Sequence, residues 1–74
     1  MPQTSYALGV TNTIRAEMAR RKMSQKDLAD ALGLSQPAAS RRLNGHTEFT
    51  VGELLEIAAV LGVAPAVLLG EDAA

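Results

Sequence analysis

The chain has no cysteine and no tryptophan, and only one histidine, one tyrosine and one phenylalanine in 74 residues. Without cysteine there are no disulfides and no thiolate metal sites, so a small core has to come from side-chain packing alone. One histidine without cysteine also makes no metal site, and neither a metal nor another cofactor is expected. Tyr6 and Phe49 are too few and too far apart to act as base-stacking platforms, and Phe49 reads as a core residue. No apolar run approaches the length of a membrane span, and the N-terminal residues lack the basic-then-apolar layout of a signal peptide. The expectation is a soluble protein of a reducing cytoplasm. A chain this short buries only about 60% of its unfolded surface, so one domain over residues 1–74 is expected, with short tails at about 1–5 and 71–74.

Catalytic constellations are missing too. Serine, histidine and aspartate all occur, but nothing in their spacing arranges them as a triad. The carboxylate pairs Asp27/Asp30 and Glu53/Glu56 lie in or near first helical turns, where negative charge is favourable in any case. So small a chain is not expected to enclose a substrate pocket, and an enzyme is not expected.

What is present is an uneven charge. The net value of −1 argues at first against a nucleic-acid partner. All seven basic residues, however (Arg15, Arg20, Arg21, Lys22, Lys26, Arg41 and Arg42), lie between 15 and 42. Only Glu17, Asp27 and Asp30 oppose them there, so that span carries +4 and the remainder −5. A basic half joined to an acidic half suits a protein that holds one face against a polyanion.

No stretch alternates with period two for long enough to be a strand, while apolar residues recur at helical spacing. The pattern predicts an all-α fold of five helices. The first spans about 7–22, with Thr4 or Ser5 as its cap and Val10, Ile14 and Met18 as its inward stripe. Ser24 with Asp27 three residues on, and Thr50 with Glu53, are N-caps of the second and fourth helices. Met23 and Phe49 are placed to staple onto Leu28 and Leu54. The fourth helix, about 51–61, is expected to turn Val51, Leu54, Leu55, Ala58 and Leu61 inward. Pro65 opens a last short helix, about 65–69. Gly33, Gly45, Gly62 and Gly70 mark helix ends, because glycine accepts a left-handed backbone at least cost.

Residues 24–45 pack these stop and start signals most closely. Two short helices joined by a tight turn at Gly33 suggest a helix-turn-helix, with Ala29 as the small residue where they cross and Leu28, Leu32 and Leu34 as the wedge beneath. On a helical wheel Gln36, Pro37, Ser40, Arg41 and Asn44 share one side of the second helix. Ala38, Ala39, Arg42 and Leu43 share the other. Glutamine can bond adenine through two hydrogen bonds and arginine can do so with guanine, each good pair giving about 1–3 kcal/mol of discrimination.

Four segments together resemble the phage-repressor and Cro-like helix-turn-helix proteins, the xenobiotic-response-element group, over about residues 14–70. They are Ser24-Gln25-Lys26-Asp27-Leu28-Ala29, Leu32-Gly33-Leu34-Ser35-Gln36, Asn44-Gly45 and Leu54…Ala58…Leu61-Gly62-Val63. The resemblance implies a five-helix lambda-repressor-like bundle that reads DNA. It places Gln36, Pro37, Ser40 and Arg41 in or over the major groove, Gln25 on a phosphate, and the stretch from Asn44 to Thr47, His46 included, near the DNA backbone. Arg21 and Lys22 are further phosphate candidates, although the basic Arg20-Arg21-Lys22 turn would suit a helix C-terminus regardless of function.

Three positions depart from the family pattern. The reading helix is expected over about 36–43, with a start one residue late as the alternative, because Pro37 disfavours helical geometry at Gln36 and would then be the first helical residue. Arg42 stands where many relatives are apolar, and is expected to snorkel toward a phosphate or an acidic neighbour. Leu43 stands where many have a glutamate paired to a basic residue of the first helix. That partner position is Met18 here, so an apolar Met18–Leu43 contact would replace the ion pair.

The functional expectation is a sequence-specific DNA-binding regulator, a small repressor or Cro-like protein of a phage or bacterium. It would bind a double-stranded operator as a homodimer, with residues 63–69 as the candidate dimer surface. The alternatives are an antitoxin-type regulator that also holds a toxin, and an interaction adaptor that has lost DNA binding.

Overall fold

Three hydroxyl side chains decide where the middle helices begin. Ser24 Oγ accepts from the Asp27 amide at 3.0 Å while the Asp27 carboxylate accepts from the Ser24 amide at 3.0 Å. Thr50 and Glu53 repeat this reciprocal box at 3.0 and 2.9 Å. Ser35 Oγ accepts from the Ala38 amide at 3.2 Å. Each device satisfies amides that no earlier turn can reach. The computed structural model describes residues 5–69, with side chains from Gly9 onward. Its helices are α1 (Ser5–Arg20), α2 (Gln25–Leu32), α3 (Gln36–Leu43), α4 (Val51–Leu61) and α5 (Pro65–Leu68), and no strand occurs among the described residues. The fold is an all-α helix-turn-helix bundle. No described helix is long and apolar enough to cross a membrane.

The helix ends share one geometry. After α2, α3 and α4 a glycine takes positive φ: +68° at Gly33, +82° at Gly45 and +73° at Gly62. The next amide bonds back five residues in each case: Leu34 to the Ala29 carbonyl at 2.9 Å, His46 to Arg41 at 2.8 Å, Val63 to Ala58 at 3.0 Å. These are Schellman closures, which satisfy carbonyls the helix leaves open. The first helix closes the same way without a glycine. Lys22 has φ +55°, and the Met23 amide bonds the Met18 carbonyl at 2.9 Å. The expected span of 7–22 is thus corrected to Ser5–Arg20, because Lys22 is the left-handed terminator rather than helix. Ser5 is the first helical residue and not a cap. Thr4, Gly70 and the two tails lie outside the described residues, as does the side chain of Tyr6.

Packing closes a circuit. α1 rests on α3 and α5, α2 on α3 and α4, and α4 on α5. Ile14, Leu28, Ile57 and Leu68, one each from α1, α2, α4 and α5, are its largest fully buried side chains. The Val10–Ile14–Met18 stripe is buried as expected, and Met23, Leu32, Phe49 and Leu54 pack against it half-buried.

One expectation about apolar faces is corrected. Val51 and Leu55 do not turn inward: they are 74% and 53% exposed. The buried positions of α4 are Ile57, Ala58 and Leu61, flanked by Leu54. An eleven-residue helix this rich in apolar residues has two candidate stripes, and its neighbours α2 and α5 select the one centred on Leu54, Ile57 and Leu61. Residues 63–69, the candidate dimer surface, give Leu68 to the core with Val63 and Leu69 packed against it, while Ala64 and Pro65 stay exposed. The last helix ends at Leu68, one residue before the expected 69.

The left-handed terminators yield a stability prediction. A Cβ added at Gly33 or Gly62 meets nothing within 4 Å, so any cost is backbone strain alone. Gly33→Ala and Gly62→Ala should each lose about 1–2 kcal/mol, whereas Lys22→Gly should gain roughly 0.5–1 kcal/mol once the extra freedom of unfolded glycine is counted. Urea unfolding midpoints of the three variants check both signs.

Candidate nucleic-acid interface

The Gly33 closure turns the chain from α2 into α3 within three residues, Gly33, Leu34 and Ser35. The two helices then pack directly, with Ala29 and Ala39 almost wholly buried on their facing sides. Small residues allow that approach.

Pro37 does not delay α3. The helix begins at Gln36, and Pro37 occupies its second position. The physical reason is that the first amides of a helix have no intrahelical acceptor, so proline forfeits nothing there. Ser35 bonds the third-position amide instead. Gln36 therefore joins the regular helical face.

That face is the one the wheel anticipates. Gln36, Pro37, Arg41 and Asn44 are exposed and Ser40 is half-exposed, while Ala39 and Leu43 are buried behind them. Arg41 makes no ion pair among the described residues, so its guanidinium is available to an outside partner. Gln25, the first residue of α2, is exposed, as is His46 in the turn after α3. Lys22 is exposed at the end of α1 and makes no ion pair among the described residues.

Three of the expected phosphate contacts, Arg21, Arg42 and Asn44, have side chains engaged within the chain. Arg21 pairs with the nearly buried Glu17 one turn earlier, and Arg20 reaches the same carboxylate at 3.4 Å. Arg42 Nε donates to Glu53 Oε1 at 3.0 Å and Nη1 to the Ala38 carbonyl at 3.2 Å, with its side chain only 17% exposed. The acidic neighbour of Arg42 is thus Glu53, which joins α3 to α4 while it completes the Thr50 cap. Leu43 takes over packing as expected, and it shares a groove wall and the core cluster with Met18.

Sequence reasoning missed Arg15. It stands one turn before Met18, on the flank of the buried stripe. Its Nε donates to the Leu43 carbonyl at 3.1 Å and its Nη2 to Asn44 Oδ1 at 2.7 Å. The signal was a basic residue beside the Met18 position, where the family pairing is absent.

An outward polar helix, braced from behind by a second helix across a glycine turn, defines a helix-turn-helix reading unit. A helix-turn-helix family model matches residues 14–68, and the chain belongs to that family, of the Cro and repressor type. The family is one of DNA-binding regulatory domains. No curated protein and no solved structure gives a significant match.

The capping carboxylates yield a pH prediction. Burial opposes ionisation of Glu53, but the hydrogen bonds from the Thr50 amide and Arg42, together with the arginine charge, outweigh it and hold the carboxyl below its ordinary 4.5. Asp27 is likewise held below 3.8, chiefly by the Ser24 amide and hydroxyl. The folded state binds both protons less tightly than the unfolded chain. The stability they contribute is therefore complete above those ordinary values and is lost as pH falls below them through the lower folded-state values. Glu53→Gln should flatten this acid limb. It should also cost roughly 1–3 kcal/mol at neutral pH, because Arg42 is left half-buried without its counter-charge. Urea titrations between neutral pH and about 3 measure both effects.

Proposed function

We propose that this protein is a sequence-specific transcriptional regulator of the repressor or Cro-like kind, from a phage or bacterium and acting in the cytoplasm, with residues 1–74 as one DNA-binding domain. One observation carries the reading: the polar face of α3 (Gln36, Pro37, Ser40 and Arg41) stands outward, with an arginine on it that makes no ion pair among the described residues. In a major groove, Gln36 and Arg41 supply bidentate pairs suited to adenine and guanine. Pro37 supplies an apolar surface suited to a thymine methyl, and Ser40 a hydroxyl. Gln25, His46 and Lys22 then border the phosphates, giving salt-sensitive affinity, whereas Arg21 is held by Glu17 and Asn44 by Arg15, so that both serve as supports. Arg42, held by Glu53, serves first as a brace that fixes the tilt of α3.

An eight-residue reading helix spans few base pairs. Useful selectivity follows if two copies bind a near-palindromic operator with half-sites about 10 bp apart, matching one turn of the duplex.

Selection of duplexes from a random pool, repeated at two salt concentrations, tests the reading. Arg41→Ala and Gln36→Ala should cost about 1–3 kcal/mol on the selected site and relax preference at particular base pairs. Gln25→Ala should weaken every sequence alike, by roughly 0.5–1.5 kcal/mol. A pool that shows no enrichment, or affinities indifferent to all three substitutions, rejects the docking.

A further inference from the structure

We infer that Arg15 is a positioning residue for the reading face, acting through Asn44 to make Ser40 a hydrogen-bond donor toward DNA. The inference rests on the DNA-reading role of α3 and adds to it a direction for one side chain.

The chain of bonds has only one possible polarity. Arginine carries donors and no acceptor, so the Asn44 atom 2.7 Å from Arg15 Nη2 must be the carbonyl oxygen. That choice orients the amide group, and its Nδ2 donates to Ser40 Oγ at 3.3 Å. An amide nitrogen cannot accept, so Ser40 is the acceptor of that bond. Its own O–H bonds no acceptor among the described residues. With one lone pair engaged behind it, the hydroxyl keeps its proton for an outside partner. The partner chemistry is an acceptor: either a phosphate oxygen or a base-edge acceptor such as purine N7, guanine O6 or thymine O4.

The second bond from Arg15 secures the geometry. Its Nε binds the Leu43 carbonyl at 3.1 Å, one of the last open carbonyls of α3. One guanidinium from α1 therefore fixes the end of the reading helix and the orientation of the amide that polarises Ser40. A lysine offers a single nitrogen and cannot hold both acceptors at their separate positions.

The test is a double-mutant cycle on the duplex that the wild-type chain selects from a random pool. Ser40→Ala should weaken binding roughly 3- to 10-fold in the wild-type background. In the Arg15→Ala background the same change should cost less than about 2-fold, because the oriented donor is already lost. Asn44→Asp serves as the second background. Its carboxylate still accepts from Arg15 but captures the Ser40 proton, so Ser40→Ala should again be nearly neutral, and the added charge cancels within the cycle. Arg15→Lys should behave like Arg15→Ala in the cycle while recovering part of any lost thermal midpoint.

The base-preference profiles separate the two acceptor sources. Relaxation at one shared base pair in Arg15→Ala and Ser40→Ala assigns a base edge. Parallel weakening of all sequences assigns a phosphate. A Ser40→Ala cost equal in every background overturns the inference and leaves Arg15 a purely structural brace, and a Ser40→Ala change without effect in the wild type overturns it as well. A pool with no enriched duplex removes the DNA reading itself, and the inference with it.

Discussion

The structure depends on burying one small core from all sides at once. Ile14, Leu28, Ile57 and Leu68 come from four different helices, and α3 closes the shell with Ala39 and Leu43. Four of the five helices are too short to persist alone, the eleven-residue α4 among them. Two have eight residues and one has four, well under the roughly 12–15 at which an isolated helix becomes even marginal. Each exists because its neighbours cover its apolar stripe, and the packing circuit leaves none of the five without two partners.

A core this small leaves little stability to spare for strain, so local devices matter. Reciprocal caps at Ser24 and Thr50 and left-handed closures at Lys22, Gly33, Gly45 and Gly62 satisfy helix ends that short helices expose in high proportion. The same devices place the functional face. The Gly33 closure sets the crossing of α2 and α3, and the Ser35 cap lets Pro37 sit where its missing amide is harmless. Glu53 does two jobs with one carboxylate, capping α4 and holding Arg42 of α3.

The reading helix is accordingly gripped from three directions: by the backs of α2 through small residues, by α4 through an ion pair, and by α1 through Arg15. The proposed reading of base edges needs this support, because a group that reads hydrogen-bond patterns must be held to within a fraction of an ångström. Arg41 and Gln36 extend from a helix whose middle packs on α2 and whose last turn is tied to both α4 and α1. Part of the acidic charge is employed within the fold: Glu17 on α1, Asp27 and Asp30 on α2, and Glu53 at the start of α4.

Most of this architecture was legible in the residue order because its determinants are local. A serine followed three residues later by an acid, or a glycine followed by an apolar residue, acts within one turn of helix and reads the same in any context. The sidedness of α3 was legible for a similar reason, since the buried set Ala39 and Leu43 and the outward set Gln36, Ser40 and Arg41 differ in chemistry. Sidedness failed on α4, where apolar residues lie nearly all round. There only the neighbours decide that Ile57 is inside and Val51 and Leu55 outside. Lys22 as a left-handed terminator, Glu53 as the partner of Arg42, and Arg15 reaching 28 residues along the chain to Leu43 were likewise invisible. Helix starts, turns and the polarity of the reading face follow from short-range chemistry. Which arginines are available to a partner and which are tied into the fold follows from distances across the bundle, and those arise only when the helices pack.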